Sequence, residues 1–172
     1  MKILPPILIV EDDQNDVLLI RRTLGTSGIP NPRHFVESGE EAIDYLLGAN
    51  AYSDRKRYPL PALILLDLKL PGIDGFKVLQ WIRGNRVFRD LRVVVLTSSN
   101  AIRDVNKAYR LGANSFLVKP LEFENASALF ATIGTQLWKS NTQAQADTIE
   151  KVARTNDDAN WSLSQKDEGS PE

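Results

Sequence analysis

Residues 62–75 have the sequence ALILLDLKLPGIDG, and this stretch decides the fold class. Its first five residues are all apolar, and such a short continuous run is typical of a parallel strand that is covered on both faces. Asp67 ends the run, and Pro71 and Gly72 then interrupt any regular pattern. We therefore predict a buried central strand whose carboxyl end carries a carboxylate.

Four further apolar runs lie on both sides of this stretch, at residues 7–10, 33–36, 92–96 and 115–118. Between the runs, apolar residues recur at intervals of three or four, which is the spacing of an amphipathic helix. The expected apolar positions of these helices are Val17, Ile20 and Leu24; Ala42, Ile43, Leu46 and Leu47; Phe76, Leu79 and Ile82; Ile102, Val105 and Tyr109; and Ala126, Leu129, Phe130, Ile133 and Leu137. Strands that alternate with helices build βαβ units. The sequence therefore predicts an α/β fold, a (βα)5 doubly wound parallel sheet.

The composition excludes several kinds of chemistry. The 172 residues include no Cys and one His, so thiol catalysis, disulfides, Cys-based metal sites and multi-His metal sites are ruled out. The net charge of −1 gives no general attraction to nucleic acid. Residues 1–10 contain two prolines and run into an acidic cluster, which does not match a signal peptide, and no apolar run approaches the length of a membrane span. We expect a cytoplasmic protein that binds neither nucleic acid nor membranes.

Two segments stand outside the alternating pattern. Residues 50–61 form a long, polar connection that ends in proline, so we predict a surface loop with Arg55, Lys56 and Arg57 in solvent. Residues 139–172 are rich in polar residues and carry seven acidic but four basic side chains. We predict a domain over residues 5–138, followed by an acidic tail over 139–172 that is largely disordered or partly helical. His34 lies on a predicted strand away from the strand ends, which favours a structural role.

Polar side chains follow four of the five predicted strands at their carboxyl ends. Glu11, Asp12 and Asp13 follow the first strand, Asp67 the third, Thr97 and Ser98 the fourth, and Lys119 the fifth. In an open α/β sheet the functional crevice lies at these ends. Crowded carboxylates attract a divalent cation, and ligands that are all oxygen favour Mg²⁺ over zinc. Lys119 and Thr97 suit an anion such as a phosphoryl group, and a carboxylate can itself accept phosphorus. Asp67 is the natural nucleophile.

Each of these residues also has an ordinary structural interpretation. Asp13 is expected to cap the first helix, where a carboxylate favours the helix dipole, and the pair Ser38 and Glu41 is a capping-box pattern at the second helix. Thr97 alone could be a hydroxyl at a strand end, and Lys119 alone could be a surface lysine. The joint pattern at four strand ends is much harder to explain by packing. The sequence contains neither G-x-x-x-x-G-K nor G-x-G-x-x-G, so it matches no common nucleotide-binding loop.

The motifs ILIVEDD at residues 7–13, LLDLKLPGIDG at 65–75, VVLTS at 94–98 and FLVKP at 116–120 resemble the receiver domain of two-component response regulators. They occur in the family's order and with its spacing, and the resemblance covers residues 5–138. It implies a flavodoxin-like fold with strand order 2-1-3-4-5. It also implies a response regulator that acts in a phosphorelay and takes a phosphoryl group from a sensor histidine kinase.

The resemblance assigns a role to each strand-end residue. Asp67 is the phosphoryl acceptor, Thr97 and Lys119 hold the phosphoryl oxygens, and Ser98 contributes a backbone N–H. The implied cofactor is Mg²⁺, bound by Asp12, Asp67 and the backbone carbonyl of Lys69, with Glu11 positioning metal-bound water from the second shell. Thr97 and Phe116 are the implied switch pair, which reports to a face built from the fourth helix, fifth strand and fifth helix. A cis peptide bond is expected between Lys119 and Pro120.

The loop at residues 50–61 and the short tail resemble a narrower group, the stand-alone receivers that work with phytochrome-like or hybrid histidine kinases. We expect no enzymatic turnover beyond self-phosphorylation and dephosphorylation. Two alternatives stay open: a phosphohydrolase that uses an aspartyl phosphate, and a receiver-fold interaction module that is never phosphorylated. Lys69 argues against the first, because it occupies the position where such hydrolases commonly carry an acidic group. The apolar stripe that ends at Leu137 and Trp138 is compatible with a homodimer. The downstream target is not encoded in any recognisable motif.

Overall fold

A computed structural model describes residues 4–98, 102–122, 124–125 and 127–128 of the chain. These residues contain a five-stranded parallel sheet with the order β2-β1-β3-β4-β5. The strands are β1 (Ile7–Val10), β2 (Arg33–Val36), β3 (Leu63–Asp67), β4 (Arg92–Thr97) and β5 (Ser115–Val118). The order reverses between β1 and β3, as expected for a doubly wound sheet. The predicted fold class and strand order are therefore confirmed.

Four α-helices connect the strands in the part of the chain that the structure describes. They are α1 (Gln14–Thr26), α2 (Gly39–Leu47), α3 (Gly75–Gly84) and α4 (Ile102–Arg110). The apolar stripe predicted for a fifth helix and the acidic tail lie outside the described residues. None of the helices that the structure describes is long and apolar enough to cross a membrane.

The helices bury the two faces of the sheet in separate apolar clusters. On one face Ile20 and Leu24 of α1 pack with alternate residues of β1, β3 and β4. On the other face α2 and α3 pack against the remaining strand residues, through side chains such as Leu46 and Ile82. Strands β1 and β3 are buried along their whole length, which explains their continuous apolar sequence.

The predicted helix starts have the expected caps. The Asp13 side chain accepts hydrogen bonds from the backbone N–H groups of Asn15 and Asp16, at 2.8 and 3.2 Å. Ser38 Oγ accepts from the backbone N–H of Glu41 at 3.1 Å. The Glu41 carboxylate accepts a hydrogen bond from the backbone N–H of Glu37, which is one residue before the N-cap residue that donates in a standard capping box. Both predicted caps are confirmed.

The segment over residues 50–61 differs from its prediction. It begins with a 3₁₀ turn, Asn50–Tyr52, and packs Tyr52 and Tyr58 against the buried ring of Tyr45, with ring centroids 5.2 and 6.0 Å away. Arg55 is partly buried and donates to the carbonyl oxygens of Tyr45, Leu46 and Tyr58. The prediction of a solvated Arg55 was wrong, because its guanidinium bonds the carbonyl oxygens of Tyr45 and Leu46 at the end of α2. His34 bonds the Tyr45 hydroxyl at 2.9 Å, which supports its structural role.

The fourth helix also shows a difference in detail. Ala108 is buried, whereas the neighbouring Tyr109 is 46% exposed. The Tyr109 ring packs edge-on against Phe116 of β5, with centroids 6.0 Å apart. This aromatic pair therefore lies at the surface between α4 and β5, and Ala108 is the helix residue that enters the core.

Candidate functional site

The parallel register of the sheet brings the predicted site residues to one edge. Asp67 is the last residue of β3 and lies beside Leu96 of β4, while Thr97 at the end of β4 pairs with Val118 of β5. The hydrogen bonding continues past the strand ends, because the Lys119 N–H donates to the Thr97 carbonyl at 2.8 Å. The strands thus carry Asp67, Thr97 and Lys119 to neighbouring positions of one crevice.

Lys119 makes three contacts with carboxylates at the centre of this crevice. Its Nζ donates to Asp67 Oδ2 and to Asp16 Oδ2, each at 3.0 Å, and forms an ion pair with Glu11 Oε2. The side chains of Lys119, Asp67 and Glu11 are 10%, 6% and 0% exposed, so these charges are largely shielded from water. Lys119 is therefore a largely buried counter-ion and not a solvated surface lysine. The Lys119–Pro120 peptide bond is cis, as expected.

Three carboxylates in the crevice form a group that fits a divalent cation. Glu11, Asp12 and Asp67 each offer one oxygen, and the three oxygens lie within 4.8 Å of one another. Two of the three residues are buried and Asp12 is exposed, so the group opens to solvent on one side. Oxygen donors are the ligands of hard cations such as Mg²⁺, Mn²⁺ and Ca²⁺. The residues present therefore fit a hard divalent ion, and the exposed Asp12 lies on the side from which the ion can enter from solvent.

The crowding of charge shifts the pKa values of two groups. Burial raises the pKa of Glu11 to about 7, although the Lys119 ammonium and the Asp13 N–H favour its charged form. Burial alone would lower the pKa of Lys119, but its hydrogen bonds to Glu11, Asp16 and Asp67 outweigh that effect and raise it. Lys119 is therefore positively charged throughout the physiological pH range.

The connection from β3 to α3 fixes the orientation of Asp67. The Asp67 Oδ1 atom accepts the backbone N–H of Lys69 at 3.1 Å, so its two oxygens have different partners. The Lys69 side chain is exposed and lies outside these contacts. The role predicted for the Lys69 carbonyl stays a prediction.

The predicted switch residues lie on the β4 and β5 side of the crevice. Thr97 is 3% exposed, whereas Ser98 directly after it is exposed. Phe116 is half-buried and touches the Tyr109 ring. Residues 99–101, which connect β4 to α4, lie outside the described residues.

Sequence reasoning missed Asp16. This residue lies in the first turn of α1, three positions after the N-cap Asp13, and its carboxylate contacts Lys119. A signal was present in the sequence, since a residue three positions after an N-cap lies on the same side of the helix as the cap.

Comparison with known proteins decides the family. The protein-family model of the response regulator receiver domain matches residues 7–131, and this range includes the whole described sheet and every site residue named above. The chain belongs to the response regulator receiver family. The expected resemblance is therefore confirmed.

Individual response regulators are similar over most of the chain. Response regulator Rcp1 of Synechocystis is 39% identical over 117 residues, which cover 67% of this receiver and 78% of Rcp1. The solved structure of the bacteriophytochrome response regulator RtBRR is 38% identical with a TM-score of 0.70, covering 90% of this chain and 96% of that one. The phosphorylated cyanobacterial phytochrome response regulator RcpA is 31% identical with a TM-score of 0.66, covering 81% and 97%. A structure of Rcp1 in a Mn²⁺-bound form is also similar, with 33% identity, a TM-score of 0.64 and coverage of 80% and 97%.

Proposed function

We propose that this receiver is a signalling switch that accepts a phosphoryl group on Asp67 from a phosphohistidine of a sensor histidine kinase. The contact that supports the proposal best is the 3.0 Å hydrogen bond from Lys119 Nζ to Asp67 Oδ2, beside the carboxylate group of Glu11, Asp12 and Asp67. A buried ammonium at an acceptor carboxylate neutralises charge where an incoming phosphoryl group brings about two negative charges.

The proposed transfer is a substitution at phosphorus. An oxygen of Asp67 forms a bond to phosphorus while the bond from phosphorus to the donor atom breaks, and the donor atom leaves with the electron pair. The leaving group is the imidazole nitrogen of the kinase histidine, or acetate when acetyl phosphate is the donor. The product is an aspartyl phosphate, whose phosphoryl oxygens lie where Lys119 and Thr97 can bond them.

Magnesium is the cofactor that we propose for this step. Asp12, Asp67 and the Lys69 carbonyl are the proposed ligands, with Glu11 positioning bound water, and the ion supplies positive charge for the phosphoryl oxygens. Rcp1, to which this chain is similar, has a structure in a Mn²⁺-bound form. Mg²⁺ and Mn²⁺ prefer the same oxygen ligands, which supports a divalent ion in this group.

The signal is proposed to leave the site through Thr97 and Phe116. When Thr97 bonds the phosphoryl group, space opens for the half-buried Phe116 ring to turn inward, which changes its surface contact with Tyr109. The face of α4 and β5, continued by the predicted fifth helix, would then bind a downstream protein or a second copy of the chain. The similar phytochrome response regulators RtBRR and RcpA favour a phytochrome-type kinase as the donor, and we place the reaction in the cytoplasm.

Labelling with a small phosphoryl donor tests this function. Incubation with acetyl phosphate and Mg²⁺ should add one phosphoryl group to the intact protein, measured by mass spectrometry. Asp67→Asn should abolish the addition, as should removal of Mg²⁺ with a chelator. Asp74→Asn is the matched control, because Asp74 caps α3 in the same connection and Asn is an equally good cap. Labelling that persists in Asp67→Asn would disprove the assignment.

Phosphate release from a monoester and labelling by phosphoryl donors distinguish the two alternative functions. A phosphohydrolase needs a group that protonates the leaving oxygen, and at the position where such enzymes commonly carry an aspartic acid this chain has the exposed Lys69. We therefore propose no turnover of phosphate monoesters, and steady release of phosphate from such a substrate would contradict this. If neither small donors nor any histidine kinase labels the protein, the interaction module is the better description.

A further inference from the structure

The ammonium of Lys119 has three N–H donors, and the structure provides three carboxylates around it. Asp67 and Glu11 belong to the predicted site, while the third partner, Asp16, belongs to α1. The Asp16 carboxylate is 30% exposed and lies outside the group of three carboxylates that fits a cation. It therefore contacts Lys119 without a place among the candidate metal ligands.

The position of Asp16 is fixed by the start of α1. The Asp13 carboxylate accepts the backbone N–H of Asp16 at 3.2 Å, and Asp13 itself lies two residues after Glu11, which directly follows β1. The contact between Asp16 and Lys119 joins residues 103 positions apart in sequence, across the crevice from α1 to the end of β5. Asp16 thus ties the flexible Lys119 side chain to a rigid helix start.

We infer that Asp16 is a positioning residue for phosphoryl transfer, which holds Lys119 so that its third N–H points at Asp67. The inference rests on the proposed function. Before transfer the three N–H groups bond Glu11, Asp16 and Asp67. During transfer Asp67 forms its bond to phosphorus, the donor's bond to phosphorus breaks, and acetate or imidazole leaves with the electron pair. The Lys119 N–H group that bonded Asp67 then bonds a phosphoryl oxygen, while its other two N–H groups stay bonded to Asp16 and Glu11.

The alternative is that Asp16 only stabilises the first turn of α1 through its charge. The two roles predict different behaviour of Lys119. A positioning role requires that the effect of Asp16 passes through the ammonium and disappears when the ammonium is absent. A helix-dipole role acts on α1 whether or not Lys119 is present.

A double-mutant cycle separates these roles. The rate of labelling by acetyl phosphate in saturating Mg²⁺ is measured for the wild type, Asp16→Ala, Lys119→Ala and the double variant. We expect Asp16→Ala to lower the rate about fivefold, the effect of one charge-assisted hydrogen bond at a partly exposed site. In the Lys119→Ala background the same change should have no effect. Asp16→Asn keeps an oxygen acceptor and should recover part of the loss.

Two further measurements complete the design. Gln14→Ala is the matched control, because Gln14 lies in the same helix turn and contacts Glu37 instead of Lys119, and it should leave the rate unchanged. The affinity for Mg²⁺, measured by calorimetry without any phosphoryl donor, should change less than about twofold in Asp16→Ala, because Asp16 is outside the cation group. Equal rate losses in both backgrounds, or a wild-type rate in Asp16→Ala, would overturn the inference while the wild type still labels. An unlabelled wild type would instead reject the proposed function.

Discussion

The close approach of α3 to Asp67, the proposed phosphoryl acceptor, gives a sharp prediction for Gly75→Ala. Gly75 is the first residue of α3, and its N–H donates to the Leu68 carbonyl at 3.1 Å. A Cβ atom at this position would lie 2.1 Å from the carbonyl oxygen of Asp67 and 2.7 Å from the Leu68 Cα. Both atoms belong to the backbone, so no side chain can rotate away to make space.

The size of the effect follows from these distances. Relief of the contact requires the Asp67 carbonyl or the start of α3 to move by about 1 Å, and overpacking of this kind costs about 1–3 kcal/mol. We expect Gly75→Ala to lower the free energy of unfolding by about 2–3 kcal/mol. Because the displaced carbonyl belongs to Asp67 itself, labelling by acetyl phosphate should also slow.

Gly84→Ala in the same helix is the matched control. A Cβ atom at Gly84 meets nothing within 4 Å, so Ala fits there and removes the backbone freedom of glycine from the unfolded chain. This variant should raise the free energy of unfolding by about 0.4–1 kcal/mol and leave labelling unchanged. Urea unfolding followed by circular dichroism measures both variants. If Gly75→Ala is as stable as the wild type, the contact with Asp67 does not fix this connection and the reasoning fails.

Two further predictions concern Arg55 in the segment that follows α2 and His34 of β2. Arg55→Met removes three hydrogen bonds to carbonyl oxygens and should destabilise the fold by about 2–3 kcal/mol in urea unfolding. As the matched control, Lys56→Met at an exposed position should change the free energy of unfolding by less than about 0.5 kcal/mol. Equal effects of the two substitutions would contradict the capping role of Arg55. Burial lowers the pKa of His34 below 6.5, so the unfolded chain binds this proton more readily and stability should fall as the pH drops through 6.5 towards the lower folded pKa. His34→Gln should show a weaker fall than the wild type between pH 7.5 and 5.5, and parallel curves would rule out His34 as the source.

The sheet could be predicted from sequence because its signals are local. A strand that is covered on both faces must be apolar at every position, and β1 and β3 satisfy this along their length. Polar residues directly after the strands then had to lie at one edge, because all strands of a parallel sheet end on the same side. Asp67 and Lys119 meet there at 3.0 Å although 52 positions separate them.

The segment over residues 50–61 was harder to predict, because its conformation depends on contacts with residues outside the segment. Its composition is polar, and Arg55 has the appearance of a solvated residue in the sequence. Its place in the structure is fixed by the hydrogen bonds from Arg55 to carbonyls at the end of α2 and by the contact with the buried Tyr45 ring, and no local sequence pattern predicts either contact. Tyr45 itself was not predicted as a core residue. A tyrosine can be buried where its hydroxyl finds a hydrogen-bond partner, and here that partner is the carbonyl of Pro59 at 2.9 Å, which no local pattern indicates.

Asp16 shows why the chemistry of this site extends beyond its motif. Three carboxylates contact the Lys119 ammonium and the carboxylate of Asp12 lies beside two of them, so the crevice carries an excess of negative charge before any cation binds. Such a site repels a phosphoryl donor unless positive charge is held at the acceptor. A divalent ion can supply part of that charge at Glu11, Asp12 and Asp67. Lys119 supplies the rest only if it stays at Asp67, the proposed phosphoryl acceptor. Among the three ion-pair partners of Lys119, only Asp16 is neither that acceptor nor a member of the cation group, so Asp16 is the partner that can hold the ammonium in place throughout the transfer.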